Sequence, residues 1–236
     1  MPAAEGTRDD YGILRSRSVD DDVHRIVPSR YPAVALFDTV RNEEELQMVA
    51  ELEGLTNDRL RHEIGAIRLL GPGEGLYGSG CTPIMAAFCH PVASRFTDGR
   101  FGVYYGACRV ETAIAETRYH RERFLRAGNI PKETLEMRCY TTRLAQPMTL
   151  LPTEAVRDAI LHPDDYSAGQ RFGAAMRLRH VWGVYYNSVR DKPDGRCVAI
   201  LRPRALRPVT QTSHYRYFWD GTRIDQIEPY QRMQLQ

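Results

Sequence analysis

The tetrapeptide Gly-Val-Tyr-Tyr occurs twice, at 102–105 and at 183–186. Valine and tyrosine together favour a pleated, half-buried strand, so each copy predicts a strand. Their contexts differ. The first runs into "RVETAIAETRYHRERFLRA", a helix pattern that completes one β–α unit, and the second runs to a turn around "DKPDG" and then to the strand pattern "CVAILRP". No fixed offset aligns the flanks, so these are two strands of similar build and not a duplicated repeat.

Other segments fill in the order. "VHRIV" reads as a short strand, and "NEEELQMVAELEGL" as a helix, with Asn42 and Glu45 at capping-box spacing and Leu46, Val49, Ala50 and Leu52 on one face. A shorter helix is expected around 58–67, then the glycine-rich loop "GPGEGLYGSG" and a short helix "PIMAAF". In "ETLEMRCYTTRL", Leu135, Met137, Cys139 and Thr141 alternate with polar neighbours, the pattern of a half-buried strand. "TEAVRDAIL" and "SAGQRFGAAMRLRH" read as helices, and Asp220-Gly221 between aromatic and β-branched runs marks a C-terminal hairpin over 211–236. Helices and strands are interspersed without steady βαβ alternation. The expected class is therefore α+β, built on a mixed, largely antiparallel sheet with surrounding helices.

A chain of 236 residues with 42% hydrophobic content can bury one substantial core, which places a single domain over 23–236. Residues 1–22 are polar and aperiodic and are expected to be a disordered tail. They carry no apolar signal-peptide core, and no uncharged run approaches the ~20 residues of a membrane helix, so a cytoplasmic protein without membrane contact is expected. Five scattered cysteines with no CxxC pair point to reduced, buried thiols and to no metal site. All but two of the 32 Lys and Arg residues are arginine, whose planar fork suits phosphate and pyrophosphate, yet no basic stripe with interleaved aromatics points to nucleic acid.

Gly73 to Gly78 formally satisfies GxGxxG, the dinucleotide fingerprint of a Rossmann-type oxidoreductase. Pro72 and Glu74 inside the loop, and the lack of a doubly wound pattern after it, argue against that reading and for a flexible loop bordering a pocket. On the helix after the first GVYY, Val110, Ala113, Ile114, Thr117 and Phe124 form an apolar face with Glu116 at its edge. A non-enzymatic alternative would use the hairpin aromatics Tyr217, Phe218 and Trp219 as a partner surface.

The stretch "SRFTDGRFGVYYGACRVETAIAE" resembles the core signature of the RES-domain toxins, in which an Arg-aromatic pair precedes a strand ending in Tyr and a helix ending in Ala-x-x-Glu. "GVYYNSVRDKPDGRCVAIL" is similar to the family's later strand, which carries its Ser, and the likeness spans 91–203 with a looser match at "VHRIV". The chain departs from a minimal member by a helical insertion or extra subdomain over 42–90, and by Phe after Arg95 where Trp is commoner. The resemblance implies an ADP-ribosyltransferase-like fold and NAD as substrate, with no retained cofactor and inorganic phosphate as the co-substrate. Residue by residue, it implies Glu116, Arg95 and Ser188 as catalytic, with Arg95, Tyr105, Ser188 and Arg25 on NAD; Arg30 is the alternative to Arg25. It makes the two GVYY strands neighbouring walls of one NAD pocket. It further implies growth arrest by NAD depletion through phosphorolysis, with hydrolysis or ADP-ribosyl transfer to a protein as alternatives. The expected partner is a cognate antitoxin with an Xre-like DNA-binding region, held in a hetero-oligomer.

Overall fold

Among the described residues, nine strands form one sheet in the order β1-β5-β6-β7-β3-β2-β4-β8-β9, and every neighbouring pair is antiparallel except β5 with β6. The computed structural model describes residues 11–12, 14–29, 36–53 and 70–231. In chain order the elements are β1 (Ser16–Arg17), β2 (Val23–Pro28), α1 (Leu36–Thr39), α2 (Glu43–Glu53), α3 (Thr82–Cys89), β3 (Tyr104–Ala107), α4 (Val110–Ala127), β4 (Glu133–Thr142) and β5 (Met148–Leu150). There follow α5 (Glu154–Ile160), α6 (Ser167–Leu178), β6 (Gly183–Asn187), β7 (Arg196–Ile200), a 3-10 turn at Pro203–Ala205, β8 (Thr210–Trp219) and β9 (Ile224–Tyr230). The mixed, largely antiparallel sheet of the α+β class is thus present. The expected helix around 58–67, and Arg30, lie outside the described residues.

Period-two alternation divides the strand side chains between two layers. On one face Ile26, Met137, Cys139, Ala199, Val184, Tyr186, Tyr217 and Trp219 pack against α4 and α6 through Leu125, Phe172 and Met176. On the other, Val23, Tyr104, Tyr140, Val198 and Ile200 meet Ile84 and Phe88 of α3 and the 3-10 turn at Ala205. Each large apolar side chain fully withdrawn from water contributes about 1.5–3 kcal/mol, so both layers are needed to close this sheet. Within the stretch expected as an insertion, the described residues of 42–90 pack against the rest of the fold. Leu46 of α2 and Met85 and Cys89 of α3 form a small cluster with Leu36, Phe37 and Val40, while the other side of α3 covers the main sheet. The capping spacing works as read, with the Glu45 amide donating to Asn42 Oδ1 at 2.8 Å.

Four expectations are corrected. The segment before residue 22 is not wholly a tail: Ser16–Arg17 pairs with Met148–Thr149 as an edge strand, and Tyr11 packs edge-on against Phe172 at 4.9 Å. The two GVYY strands are not neighbours. β7 lies between β6 and β3, bringing Val184 and Tyr105 to opposite sides of Ala199. Phe124 is 64% exposed, because Thr112, Ala113 and Leu125 are the buried residues of α4. Tyr217 and Trp219 are buried in the core, the Trp219 indole donating to Ile130 O at 2.9 Å, so they offer no partner surface.

The glycine-rich loop is neither a nucleotide cradle nor a loose flap. Glu74 is buried and ion-paired to Arg177 of α6 at 2.7 Å and to Arg202 beyond β7, and it accepts the Gly71 amide at 3.0 Å. Burial pushes this carboxyl up, but the hydrogen bonds from Arg177 and Gly71 and the charges of Arg177 and Arg202 outweigh it and hold Glu74 below its ordinary value. The loop is a staple between α6 and the end of β7, away from the principal cleft.

Candidate active site

Strand β2 pairs with β4 at six positions but with β3 at one alone, His24 opposite Ala107. Beyond that point the sheet parts, and a cleft of about 1230 Å³ opens between β2 and β3, bordered by α4, α3 and the 90–95 segment. This exceeds the roughly 300–1,000 Å³ of common small-molecule pockets and has room for a dinucleotide. Among the described residues that line it stand five arginines, Arg25, Arg95, Arg121, Arg123 and Arg138, and a single carboxylate, Glu116. A chain of net charge +2 thus sets five cations against one carboxylate on a concave surface.

Glu116 sits in the second turn of α4. Its Oε1 accepts the Ser188 hydroxyl at 2.6 Å, with the Cys197 thiol at 3.9 Å. Ser188 is 1% exposed, and its Oγ also receives the amide N–H groups of Arg190 at 3.0 Å and Asp191 at 2.9 Å. A hydroxyl has two acceptor sites and one proton. With both sites filled by amides, the proton is directed to Glu116. Ser188 is absent from the cleft lining, and its hydroxyl reaches the cleft by way of its bond to Glu116. The loop is fastened again where Thr112 Oγ1 donates to Asp191 Oδ2 at 2.5 Å.

Arg95 is 8% exposed, in the turn before β3. One terminal nitrogen, NH1, donates to His162 O at 2.7 Å and Ile160 O at 3.3 Å, and the guanidinium stacks 4.7 Å from the centre of the Tyr166 ring. The sequence allows this closeness because Gly169 and Gly173, one turn apart on α6, leave no Cβ between the helix and the carbonyls of Arg95 and Phe96. The remaining edge of the fork, Nε and NH2, has no protein partner among the described residues.

Tyr105, on β3, borders the cleft. Its hydroxyl bonds Ser94 Oγ at 2.9 Å and accepts the Phe96 amide at 3.0 Å, fixing the turn that carries Arg95. Its carbonyl accepts Arg25 NH1 at 3.2 Å across the gap where β2 has left β3. Burial pushes the phenol up to about 12, so it stays a neutral donor and acceptor. Arg25 itself lies 4.6 Å over the Tyr104 ring, on the sheet face opposite Tyr105, and burial lowers its pKa. No carboxylate pairs with it among the described residues.

His120 was missed in the sequence, although it stands one helical turn after Glu116 and borders the cleft. Its side chain is open to the cleft yet ringed by protein. Burial first, then the charges of Arg190, Arg95, Arg121 and Arg123, lower its pKa to about 4, so the imidazole is neutral near pH 7. Among the described residues no group of three or more His, Cys, Asp or Glu could hold a metal ion, and no helix is long and apolar enough to cross a membrane.

Arg95, Tyr105, Glu116, His120 and Ser188 fall within a stretch recognisable in other proteins. An uncharacterized protein, y4oC, of Sinorhizobium fredii (strain NBRC 101917 / NGR234) is 29% identical over 213 residues, covering 88% of this chain and 86% of that protein. A chain in the crystal structure of the M. tuberculosis MbcT-MbcA toxin-antitoxin complex superposes with a TM-score of 0.44 at 12% identity, covering 87% of each chain. Residues 74–220, from the Glu74 staple through α3 and the cleft to the end of β8, match the RES domain; the chain belongs to the RES domain family.

Proposed function

We propose that this protein is the toxin of a toxin–antitoxin pair, acting in the cytoplasm by breaking the nicotinamide–ribose bond of NAD with inorganic phosphate as acceptor. One observation carries the reading: a lone carboxylate, Glu116, held by a buried hydroxyl at a cleft that five arginines also line. Membership of the RES family and the resemblance of the Arg95, Glu116 and Ser188 motifs support the same chemistry. When the C–N bond breaks, its electron pair leaves with nicotinamide, which becomes neutral, and positive charge develops on the ribose. A fixed carboxylate stabilises that charge, or the hydroxyls beside it, as it forms. The exposed edge of Arg95, with Arg25, suits the pyrophosphate, whose charge those cations offset in a partly desolvated site. A phosphate oxygen then bonds to the anomeric carbon, giving phosphorylated ADP-ribose. Positioning this nucleophile beside the cation contributes several kcal/mol toward the barrier, by the general effect of holding reactants in place. The antitoxin, with its Xre-like DNA-binding region, covers the cleft.

The test incubates purified protein with NAD in phosphate-free buffer and with added phosphate, resolving products by mass. Nicotinamide release that rises with phosphate, with phosphorylated ADP-ribose as product, is the expected result. Plain ADP-ribose at a phosphate-independent rate means hydrolysis, ADP-ribose attached to a protein means transfer, and no nicotinamide release removes the enzymatic reading altogether.

A further inference from the structure

The carboxylate half of the site and its arginine half are held by different segments. Glu116 is aimed by Ser188, at the start of the loop between β6 and β7. Arg95 is gripped by Ile160 O at the end of α5 and by His162 O and the Tyr166 ring in the segment that leads from it to α6. Arg190 touches both. Its amide donates to Ser188 Oγ at 3.0 Å, and its guanidinium NH2 donates at 2.6 Å to the carbonyl of Pro163, the residue after His162. The same guanidinium lies flat on Tyr119 of α4, 3.3 Å from the ring centre, and the Tyr119 hydroxyl donates to Asp164 Oδ1 at 2.9 Å. Backbone, fork and ring therefore join α4, the Ser188 loop and the 162–164 segment at one residue. Arg190 is not among the cleft-lining residues.

We propose that Arg190 is a positioning residue, the joint that fixes the Glu116 half of the site against the Arg95 half without itself touching substrate. The inference rests on the proposed cleavage for its kinetic consequence, but the joint can be read without turnover. Misplacing a reacting group by ~1 Å costs up to about 100-fold in rate, so a flexible joint is expected to show in the rate even when the fold survives.

The experiment compares Arg190→Ala and Arg190→Lys with wild type in two measurements. In the first, nicotinamide release per folded enzyme is expected to fall about 100-fold in Arg190→Ala, with kcat reduced and KM raised. Lys, which keeps the charge but not the planar fork, is expected to recover no more than about a tenth of the wild-type rate. A merely structural role would lower the unfolding midpoint, leave the rate per folded molecule intact and be rescued by Lys. In the second, hydrogen exchange follows the amides of Arg190 and Asp191, which donate to Ser188 Oγ, and those of Asp164 and Asp165, which donate to His162 Nδ1. In Arg190→Ala both pairs are expected to exchange roughly tenfold faster together, as one loosened unit. Loosening of one pair alone, or of neither, overturns the proposal. Should wild type release no nicotinamide, the proposed function fails while the exchange result still decides the joint. Tyr119→Phe, which removes only the bond to Asp164, serves if Arg190→Ala does not fold: faster exchange at Asp164 and Asp165 accompanied by Arg190 and Asp191 supports the joint, and its confinement to the first pair refutes it.

Discussion

Glu74 and Glu116 are both partly enclosed carboxylates in an arginine-rich protein, and their surroundings make them opposites. Glu74 has two guanidiniums and a backbone amide on its oxygens, leaving it little capacity to act on anything else. Glu116 has a neutral hydroxyl on one oxygen and a cleft in front of it, so its charge is oriented without being neutralised. A carboxylate that cations have claimed is a fastening; one aimed by a hydroxyl is a reagent. The difference is one of partners, since the side chains are chemically identical.

Exchanging the charge at each site is the sharpest way to break this contrast. Glu116→Gln is expected to lower nicotinamide release about 1,000-fold, roughly 4 kcal/mol, while the urea unfolding midpoint stays at the wild-type value. A large stability loss with intact turnover per folded molecule would make Glu116 another staple. Glu74→Ala should show the reverse. It leaves Arg177 and Arg202 facing each other unpaired, at a cost of about 3 kcal/mol by the general behaviour of broken buried pairs, with kcat of the folded fraction unchanged. Calorimetry beside a nicotinamide assay reads both quantities.

Ser188→Ala isolates the aim of the carboxylate from its charge. It is expected to reduce kcat about tenfold, near 1.4 kcal/mol, with little change in KM, because Glu116 stays present but wanders. A change confined to KM would put the hydroxyl on the substrate. The smallest effect is expected from Glu74→Gln, which keeps a hydrogen bond and removes the charge, costing about 1 kcal/mol at pH 7. Because Glu74 is held below its ordinary value near 4.5, its stabilisation is complete above that value and is lost as pH falls through the lower folded-state value. The stability gap between wild type and Glu74→Gln should therefore close below about pH 4.5, and a gap that persists into stronger acid would deny the charge its part.

What the sequence made legible divides along the same line. Glu116 stood out through the motif around it, since an acid at the edge of an apolar helix face is by itself an ordinary solvated group, whereas the alternation in β4 and the capping pair Asn42–Glu45 are local patterns. Glu74 was unreadable because its cations lie 103 and 128 residues away, and in isolation an acid among glycines resembles a loop residue. Ser188 was legible through its motif, but its partners were not, since the two amides that turn its proton toward Glu116 depend on how the following loop folds. Tyr105 was placed correctly on β3, while the bonds of its hydroxyl were not legible, because Ser94 and Phe96 reach it only after the preceding turn closes. The order of β6, β7 and β3 needed the tertiary register, and β1 and β5, of two and three residues, are too short to carry a period. His120 had a readable signal, one turn from Glu116, that was passed over.

The position of β2 has a consequence in time as well as space. This strand is made first among the long ones, yet it lies between β3 and β4, and β3 is flanked on its other side by β7. During synthesis, Arg25 emerges long before the walls it will line, and Glu116 remains without its hydroxyl until residue 188 has been translated. The cleft can be completed only after β7, ending at Ile200, has left the ribosome and docked. An incomplete chain thus carries the arginines and the carboxylate but no assembled site, and the proposed cleavage would be withheld until residue 200 has been made and placed.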